Sequence, residues 1–496
     1  MNIIEAMTKK FKKILFVSTL LGFLIFTPTL IFYSQGYRFD FRNGEIVQTG
    51  GLFFNINPNG SEISIDQKVS QKTGFIFGSA FISGLMPKQY EIKIEKQNCH
   101  SWQKTLKVEE QKVTECKDIQ LFPQNPDFSL LFSGISDFFV LPNQKKLVLK
   151  KYDEVGWILE LFNLETKGST LLVKEKELSK LLGLKQSNTL LLQSVEFSND
   201  YKKGLLKTSL VGENKYFLIN LSNGLESIPI NIQGKIKSIS FNPANSDELI
   251  LTASKIEKPT TGNEPEYYND DALFSFKANR ESSLQYIELP ILSQKIISYT
   301  FLNKNIIWLN DSGFLYQGEL KENKVELSEI LNLKPLSING QSNYKIIGNS
   351  LSQIFIKEDE TLYFLDPDVH ILTRVFASLK GYEFSPNNEK ILLRNEHEIV
   401  IMFLEEQTQQ PQRQKQEKLR LIGITEKLDN LSWLNNHYLI FRANDSIKII
   451  EIDDRDKPNL IELSVFPNPK ISWLEKQKSL IVLSKNNLHI SKDILR

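Results

Sequence analysis

The residues able to do chemistry are few and scattered. Five histidines, His100, His370, His397, His437 and His489, stand singly, with no i, i+4 pair that would set two imidazoles on one helix face around a metal. Cys99 and Cys116 are too few for a disulfide framework and lack the C-x-x-C spacing of a zinc or redox site. They read either as reduced thiols or as one bridge, which an oxidising compartment would permit. One acidic group is the polar segment from Ser254 to Asp271, where Glu264, Glu266, Asp270 and Asp271 surround Tyr267 and Tyr268. Calcium would need an ordered D-x-D-x-D-G ligand spacing, which is missing, so a solvated loop is expected there. The two tyrosines would give it a stacking surface for sugar or peptide. No G-x-S-x-G elbow, Walker loop or G-x-G-x-x-G turn occurs, and acyl-transfer, nucleotide and dinucleotide chemistry lack their usual support. No catalytic, cofactor-binding or metal-ligating residue is singled out. The expectation is a protein that binds without covalent chemistry and needs no cofactor.

Composition narrows the classes further. The net charge of +1 is not spread evenly: four lysines against Glu5 make the first 33 residues +3, leaving −2 for the remainder. That balance gives no basic field for nucleic acid. Only eight alanines occur among 496 residues, while Ile, Leu and Phe are plentiful, so strands are favoured over long helices. The length suggests about three units.

The elements that would position any site begin with an apolar run. Ile14 to Tyr33 carries no charge over 20 residues, enough at 1.5 Å per residue to cross a hydrocarbon core of roughly 30 Å. Lys9, Lys10, Lys12 and Lys13 precede it, so the positive-inside rule places residues 1–13 in the cytoplasm as a basic tail and the bulk of the chain outside. A cleaved signal peptide is the rival. It is disfavoured because the run exceeds a usual h-region and no small-x-small cleavage site precedes Tyr33. Residues 14–33 are therefore read as a single transmembrane helix acting as an uncleaved signal anchor. Residues 34–50 are read as a polar stalk, with Tyr33 and Tyr37 in the interfacial aromatic belt.

Residues 51–123 change to short alternating runs. Gly51-Leu52-Phe53-Phe54-Asn55-Ile56 leads to Pro58-Asn59-Gly60; Ile63 and Ile65 follow; Tyr90, Ile92 and Ile94 alternate with Glu91, Lys93 and Glu95. Period-2 alternation means strands buried on one face, and the proline and glycine set tight turns, so a small β-sandwich is expected. Pro58-Asn59-Gly60-Ser61, Ile63-x-Ile65-Asp66 and Leu85-x-Pro87 before Tyr90-x-Ile92-x-Ile94 resemble the PEGA domain, a small extracytoplasmic module beside bacterial membrane anchors. Gln67 and Gln89 stand where that pattern expects glycines. The run Tyr33-Ser34-Gln35-Gly36-Tyr37-Arg38-Phe39-Asp40, with His100-Ser101-Trp102, is similar to bacterial anchored proteins in which such a module precedes a propeller. The resemblance implies architecture and no chemistry.

Residues 124–496 repeat. An aromatic or aliphatic strand end followed by a polar turn recurs as Val140-Leu141-Pro142-Asn143, Phe197-Ser198-Asn199-Asp200, Phe241-Asn242-Pro243, Phe301-Leu302-Asn303, Phe384-Ser385-Pro386-Asn387, Trp433-Leu434-Asn435-Asn436 and Trp473-Leu474-Glu475, with a weaker copy at Ile347-Gly348-Asn349. The average spacing of about 48 residues is that of a four-stranded propeller blade. A lone blade cannot bury both faces, so the copies must pack radially. The count is eight, or seven if one unit is an insertion. The last unit shows three strands, and Phe128-Ser129-Leu130-Leu131-Phe132 is expected to supply its fourth and close the ring. The repeats resemble the WD-like and Tol-system propellers of bacterial envelopes, Phe384-Ser385-Pro386-Asn387-Asn388 being the nearest copy of their signature. Trp433 and Trp473 are expected between blades. A helix over Lys174 to Leu184, with Leu178, Leu181 and Leu182 on one face, would plug between blades. The Gln-rich Glu405 to Lys418 is read as a mobile loop.

The sequence thus predicts a mainly β protein: transmembrane helix, PEGA-like sandwich and β-propeller. Its expected role is a membrane-anchored extracytoplasmic scaffold that recognises an envelope protein, peptide or glycan. A propeller glycosidase or lyase acting on cell-surface polysaccharide and a self-associating surface component are the alternatives. The oligomeric state is left open.

Overall fold

The computed structural model describes residues 9–41, 43–74, 77–184, 189–222, 226–259, 266–268, 271–277, 283–290, 295–421, 428–492 and 494–495. Its first element is the helix Lys9–Ser34, which includes Pro28 and buries none of its residues. Lys9, Lys10, Lys12 and Lys13, expected in a tail before the span, are therefore part of the helix. The hydroxyls of Ser18, Thr19, Thr29 and Ser34 each donate to a carbonyl three or four residues back, so these four are satisfied within the helix.

The expected stalk is instead a β-hairpin. Tyr37–Asp40 pairs antiparallel with Glu45–Gln48, and Gly44 turns the chain at φ +71. The Arg38 guanidinium lies 3.5 Å from the centroid of the Tyr33 ring and donates to the Tyr33 carbonyl at 2.7 Å, which ties the hairpin to the helix end. Phe39, Phe41 and Ile46 are left exposed.

A sandwich follows. One sheet has Gly50–Asn57 between Ser79–Leu85 and Val113–Gln120, the latter pairing parallel; the other orders Lys68–Lys72, Glu62–Ile65, Gln89–Glu95 and Trp102–Lys107. The inward members of each alternating run, among them Leu52, Phe54, Ile63, Ile92, Ile94 and Leu106, form one core. At the position where the family resemblance expects glycine, Gln67 takes φ +65, so the left-handed turn is kept without the residue that suits it.

Eight antiparallel four-stranded sheets follow, among the described residues. Blade 1 starts at Ile135–Val140, blade 2 at Leu191–Phe197, blade 3 at Lys235–Asn242 and blade 4 at Ile296–Leu302. Blade 5 starts at Tyr344–Gly348, blade 6 at Gly381–Phe384, blade 7 at Leu428–Trp433 and blade 8 at Lys470–Leu474. Blade 8 has the strand order Phe128–Ser133, Asn487–Ser491, Ser479–Ser484, Lys470–Leu474, so the strand before blade 1 completes the last blade, as the sequence predicts. Eight apolar clusters join neighbours in turn around the ring, the last linking Leu147 and Leu149 of blade 1 to Ile481 and Ile490 of blade 8. That closure settles the count at eight rather than seven.

Period 2 explains why the middle strands are apolar throughout. In blade 6, Ile391 and Leu393 face blade 5 while Leu392 faces blade 7; Val400 and Met402 alternate likewise with Ile399, Ile401 and Phe403. The recurring turn has a physical cause too. Ser198 and Ser385 are buried, and each accepts through its hydroxyl the backbone N–H of the residue five positions on, Lys203 or Lys390, at 3.0 Å. The turns pass through left-handed residues: Tyr201 at φ +57 and Asn388 at φ +59. The short helix is Glu175–Leu181; Leu178 is buried in the cluster between blades 1 and 2, whereas Leu181, expected on the same face, is exposed.

Candidate functional site

The sandwich docks on blades 6 and 7 by its two edge strands. An edge strand leaves a row of unpaired backbone groups, and here propeller side chains answer them. Along Trp102–Lys107, the N–H of Gln103 donates to Asn459 Oδ1 at 3.1 Å and that of Thr105 to Asp456 Oδ2 at 2.9 Å. Along Val113–Gln120, the Gln410 amide accepts from the N–H of Glu115 and donates to the carbonyl of Val113, both at 3.0 Å, like the backbone of an added strand. Gln410 belongs to the Gln-rich segment expected to be mobile. That segment is instead held at several points: Arg413 pairs with Glu417 at 2.7 Å and with Asp454, and Gln416 donates to Asp366 at 2.5 Å. Glutamine both donates and accepts, and a polar run can fill an interface as readily as it can be solvated.

At the centre of the junction a charged pair is fully buried. The Lys104 ammonium pairs with Glu451 and donates to the carbonyls of Asp453 and Lys457 at 2.8 and 2.9 Å; Glu451 also accepts from Trp102 Nε1 at 2.8 Å. Lys104 is 0% exposed and Glu451 3%. Every polar atom of the pair has a partner, which is the condition under which a buried ion pair is tolerated. Arg455 donates to the Glu115 carbonyl at 2.9 Å and to Cys116 Sγ at 3.2 Å. Burial pushes the Cys116 thiol up to about 12, the Arg455 charge opposing it, so the thiol stays protonated. No disulfide joins Cys116 to Cys99, and both are buried.

Beside this pair lies a cavity of 340 Å³ with walls from both domains. Cys116, Lys117 and Asp118 line it from the sandwich, and Lys390, Phe403, Arg413, His437 and Asp453 from blades 6 and 7. His437 Nε2 is 3.5 Å from Asp118. Burial lowers the pKa of His437 and the Asp118 charge opposes this. Lys390 is 3% exposed, and its ammonium sits 5.9 Å from the Phe403 ring centroid. Burial lowers the Lys390 pKa, with Glu389 and Asp118 opposing.

The residues weighed in the sequence do not meet. His100 is in the sandwich, His370 bonds the Leu331 carbonyl at 3.1 Å, His397 is in a turn and His489 lies 5.4 Å from the Phe466 ring. Only His437 reaches the cavity, and nothing in its spacing marked it. Asp271 is not solvated: it is 4% exposed and paired with Lys237 and, at 3.4 Å, with Lys295. Asp270 and Glu264 lie outside the described residues. Tyr267 is exposed, but Tyr268 stacks on Tyr286 at 4.6 Å, so the two do not form one recognition surface. Trp433 and Trp473 pack between blades 6 and 7 and blades 7 and 8, as expected. Among the described residues no three His, Cys, Asp or Glu side chains converge as a metal site would require.

No protein family matches the chain, and no curated protein is similar to it. Solved structures similar to it include a β-propeller domain. The β-propeller domain of Myceliophteria thermophila Cps50 (Swd1) is 10% identical, with 73% of this chain and 99% of that one covered and a TM-score of 0.37. YCF48 from Cyanidioschyzon merolae is 11% identical, with 61% and 95% covered and a TM-score of 0.37. The computationally designed Ika8 protein is 11% identical, with 73% and 96% covered and a TM-score of 0.40. Likenesses this distant carry no functional inference. The chain is a β-propeller protein by its own sheet order and ring closure.

Proposed function

We propose that this chain is a single-pass membrane-anchored recognition scaffold, with a PEGA-like sandwich holding an eight-bladed propeller outside the cytoplasmic membrane of a bacterial cell. The observation that carries the reading is the helix Lys9–Ser34: 26 residues, strongly apolar, and with no residue buried against the rest of the protein. An apolar surface of that length needs a cover, and a bilayer supplies one. The hairpin continues it, since exposed Phe39, Phe41 and Ile46 lie beside Tyr33 and Arg38 at the helix end, the mixture of aromatic and basic groups suited to a headgroup layer. The role is recognition without covalent chemistry, the ligand an envelope protein, peptide or glycan held on loops of the ring.

Membranes carrying the full chain with a C-terminal tag test the anchor. The protein is expected to resist alkaline carbonate extraction, and the tag to be digested by protease added from outside. Release by carbonate, or a tag protected from outside protease, overturns the topology. Recognition is tested by crosslinking in intact cells and mass spectrometry of the captured material. Recovery of one envelope component supports it, and recovery of this chain alone favours the self-associating alternative.

A further inference from the structure

The chain's own repetition marks one position as unfinished. In blade 2, Phe197 pairs with Gly204, and in blade 6, Phe384 pairs with Ile391, so Lys203 and Lys390 hold the same place just after the serine turn. Phe241 pairs with Leu249 in blade 3, and Trp433 with Leu439 in blade 7, so Asp247 and His437 are likewise equivalent. Lys203 forms an ion pair with Asp247 of the next blade. Lys390 has His437 in that place instead, and both line the junction cavity. Its ammonium makes no hydrogen bond or salt bridge among the described residues, although the residue is 97% buried and lines the junction cavity. The Lys390 nitrogen opens onto that cavity, whereas Arg413 Nε in the same wall is buried without a partner; the Arg413 guanidinium carbon is 5.6 Å from the centroid of the Phe403 ring that Lys390 also flanks. Buried donors, a charged one above all, normally have partners, because leaving them unpaired costs more than the bond gains.

We infer that the cavity between the sandwich and blades 6 and 7 is a binding site for a small polar molecule carrying a compact oxyanion, a carboxylate or a phosphate group, which the Lys390 ammonium holds. Asp118 and Glu389 stand close by and restrict the site to a ligand whose negative charge is confined to one group. The cavity volume of 340 Å³ falls at the small end of ligand pockets, roughly 300–1,000 Å³. The site follows from how the two domains dock and does not depend on membrane topology.

Calorimetric titration of the full-length protein in detergent tests it, with glucuronate, glucose 6-phosphate and inorganic phosphate as probes and glucose as the neutral control. At least one anion is expected to bind and glucose is not; glucuronate alone identifies a carboxylate site, and the phosphates alone a phosphate site. Lys390→Met should weaken that binding about tenfold or more, the loss expected for a charge-assisted hydrogen bond, and should raise the Tm of the ligand-free protein by removing a buried unpaired charge. His437→Asp, which recreates the pairing of blades 2 and 3, should also weaken binding about tenfold while keeping the lysine, and it carries the test if Lys390→Met does not fold. Lys203→Met should leave binding unchanged. Failure of all three anions to bind overturns the site, as does glucose binding as tightly as the anions, or unchanged affinity in both cavity variants.

Discussion

Lys104 and Glu451 are 347 positions apart in the sequence, counted from their residue numbers, and neither stands in a motif, yet they make the most buried contact between the two domains. Trp102, Lys104 and Leu106 alternate as the buried members of one strand, and Lys104 is the charged residue that an apolar periodicity does not include. Its explanation lies wholly in the partner surface. Lys104→Ala leaves Glu451 buried and unpaired, and chemical denaturation should show a loss of about 3–5 kcal/mol. Glu383, on the first strand of blade 6, behaves differently. Burial raises its pKa to about 7, with the Ser432 hydroxyl, donating at 2.9 Å, opposing the shift. The folded protein then binds a proton that the unfolded chain has released above its ordinary value of about 4.5, so stability falls as pH rises from about 4.5 to about 7. Glu383→Gln should flatten that slope in a pH series of denaturation curves and gain on the order of 2 kcal/mol at pH 8.

The blade turn was the most readable element, because a period of about 48 residues repeats one local solution eight times. The serine that recurs in two copies is structural: its hydroxyl accepts the buried N–H that starts the next strand. Ser385→Ala removes that acceptor, and the variant should lose about 1–3 kcal/mol, measured by thermal or chemical unfolding, while Asn387→Ala, which removes a half-buried side chain that accepts the Ser385 hydroxyl at 2.7 Å, should lose less. Two other elements were misread for a shared reason. The hairpin Tyr37–Asp40 with Glu45–Gln48 is too short and too charged to stand out as strands, and the Gln-rich segment has the composition of solvated chain. Composition records what a segment can tolerate. What it touches is decided elsewhere in the chain, here by the edge strand that Gln410 completes.

At the scale of the molecule, eight blades share eight apolar seams, so each blade is stabilised by two neighbours and none by itself. The seam between blades 8 and 1 joins the first blade in the sequence to the last. Ile490→Asp, which places an acid in that seam, should lower hydrogen-exchange protection in blade 1, at Leu147 and Leu149, as well as in blade 8. Loss confined to blade 8 would show that the seam does not couple them. The order of that seam sets a schedule for biosynthesis. Phe128–Ser133 leaves the ribosome before any blade exists, and its partner Asn487–Ser491 follows only after all eight blades have begun. For the whole of that interval an apolar strand stays unpaired and open to mispairing, and the ring cannot lock until synthesis has passed residue 491. A prematurely terminated chain therefore carries its own mark of incompleteness, a loose strand that belongs at the edge of blade 8 and on which a protease or chaperone can act.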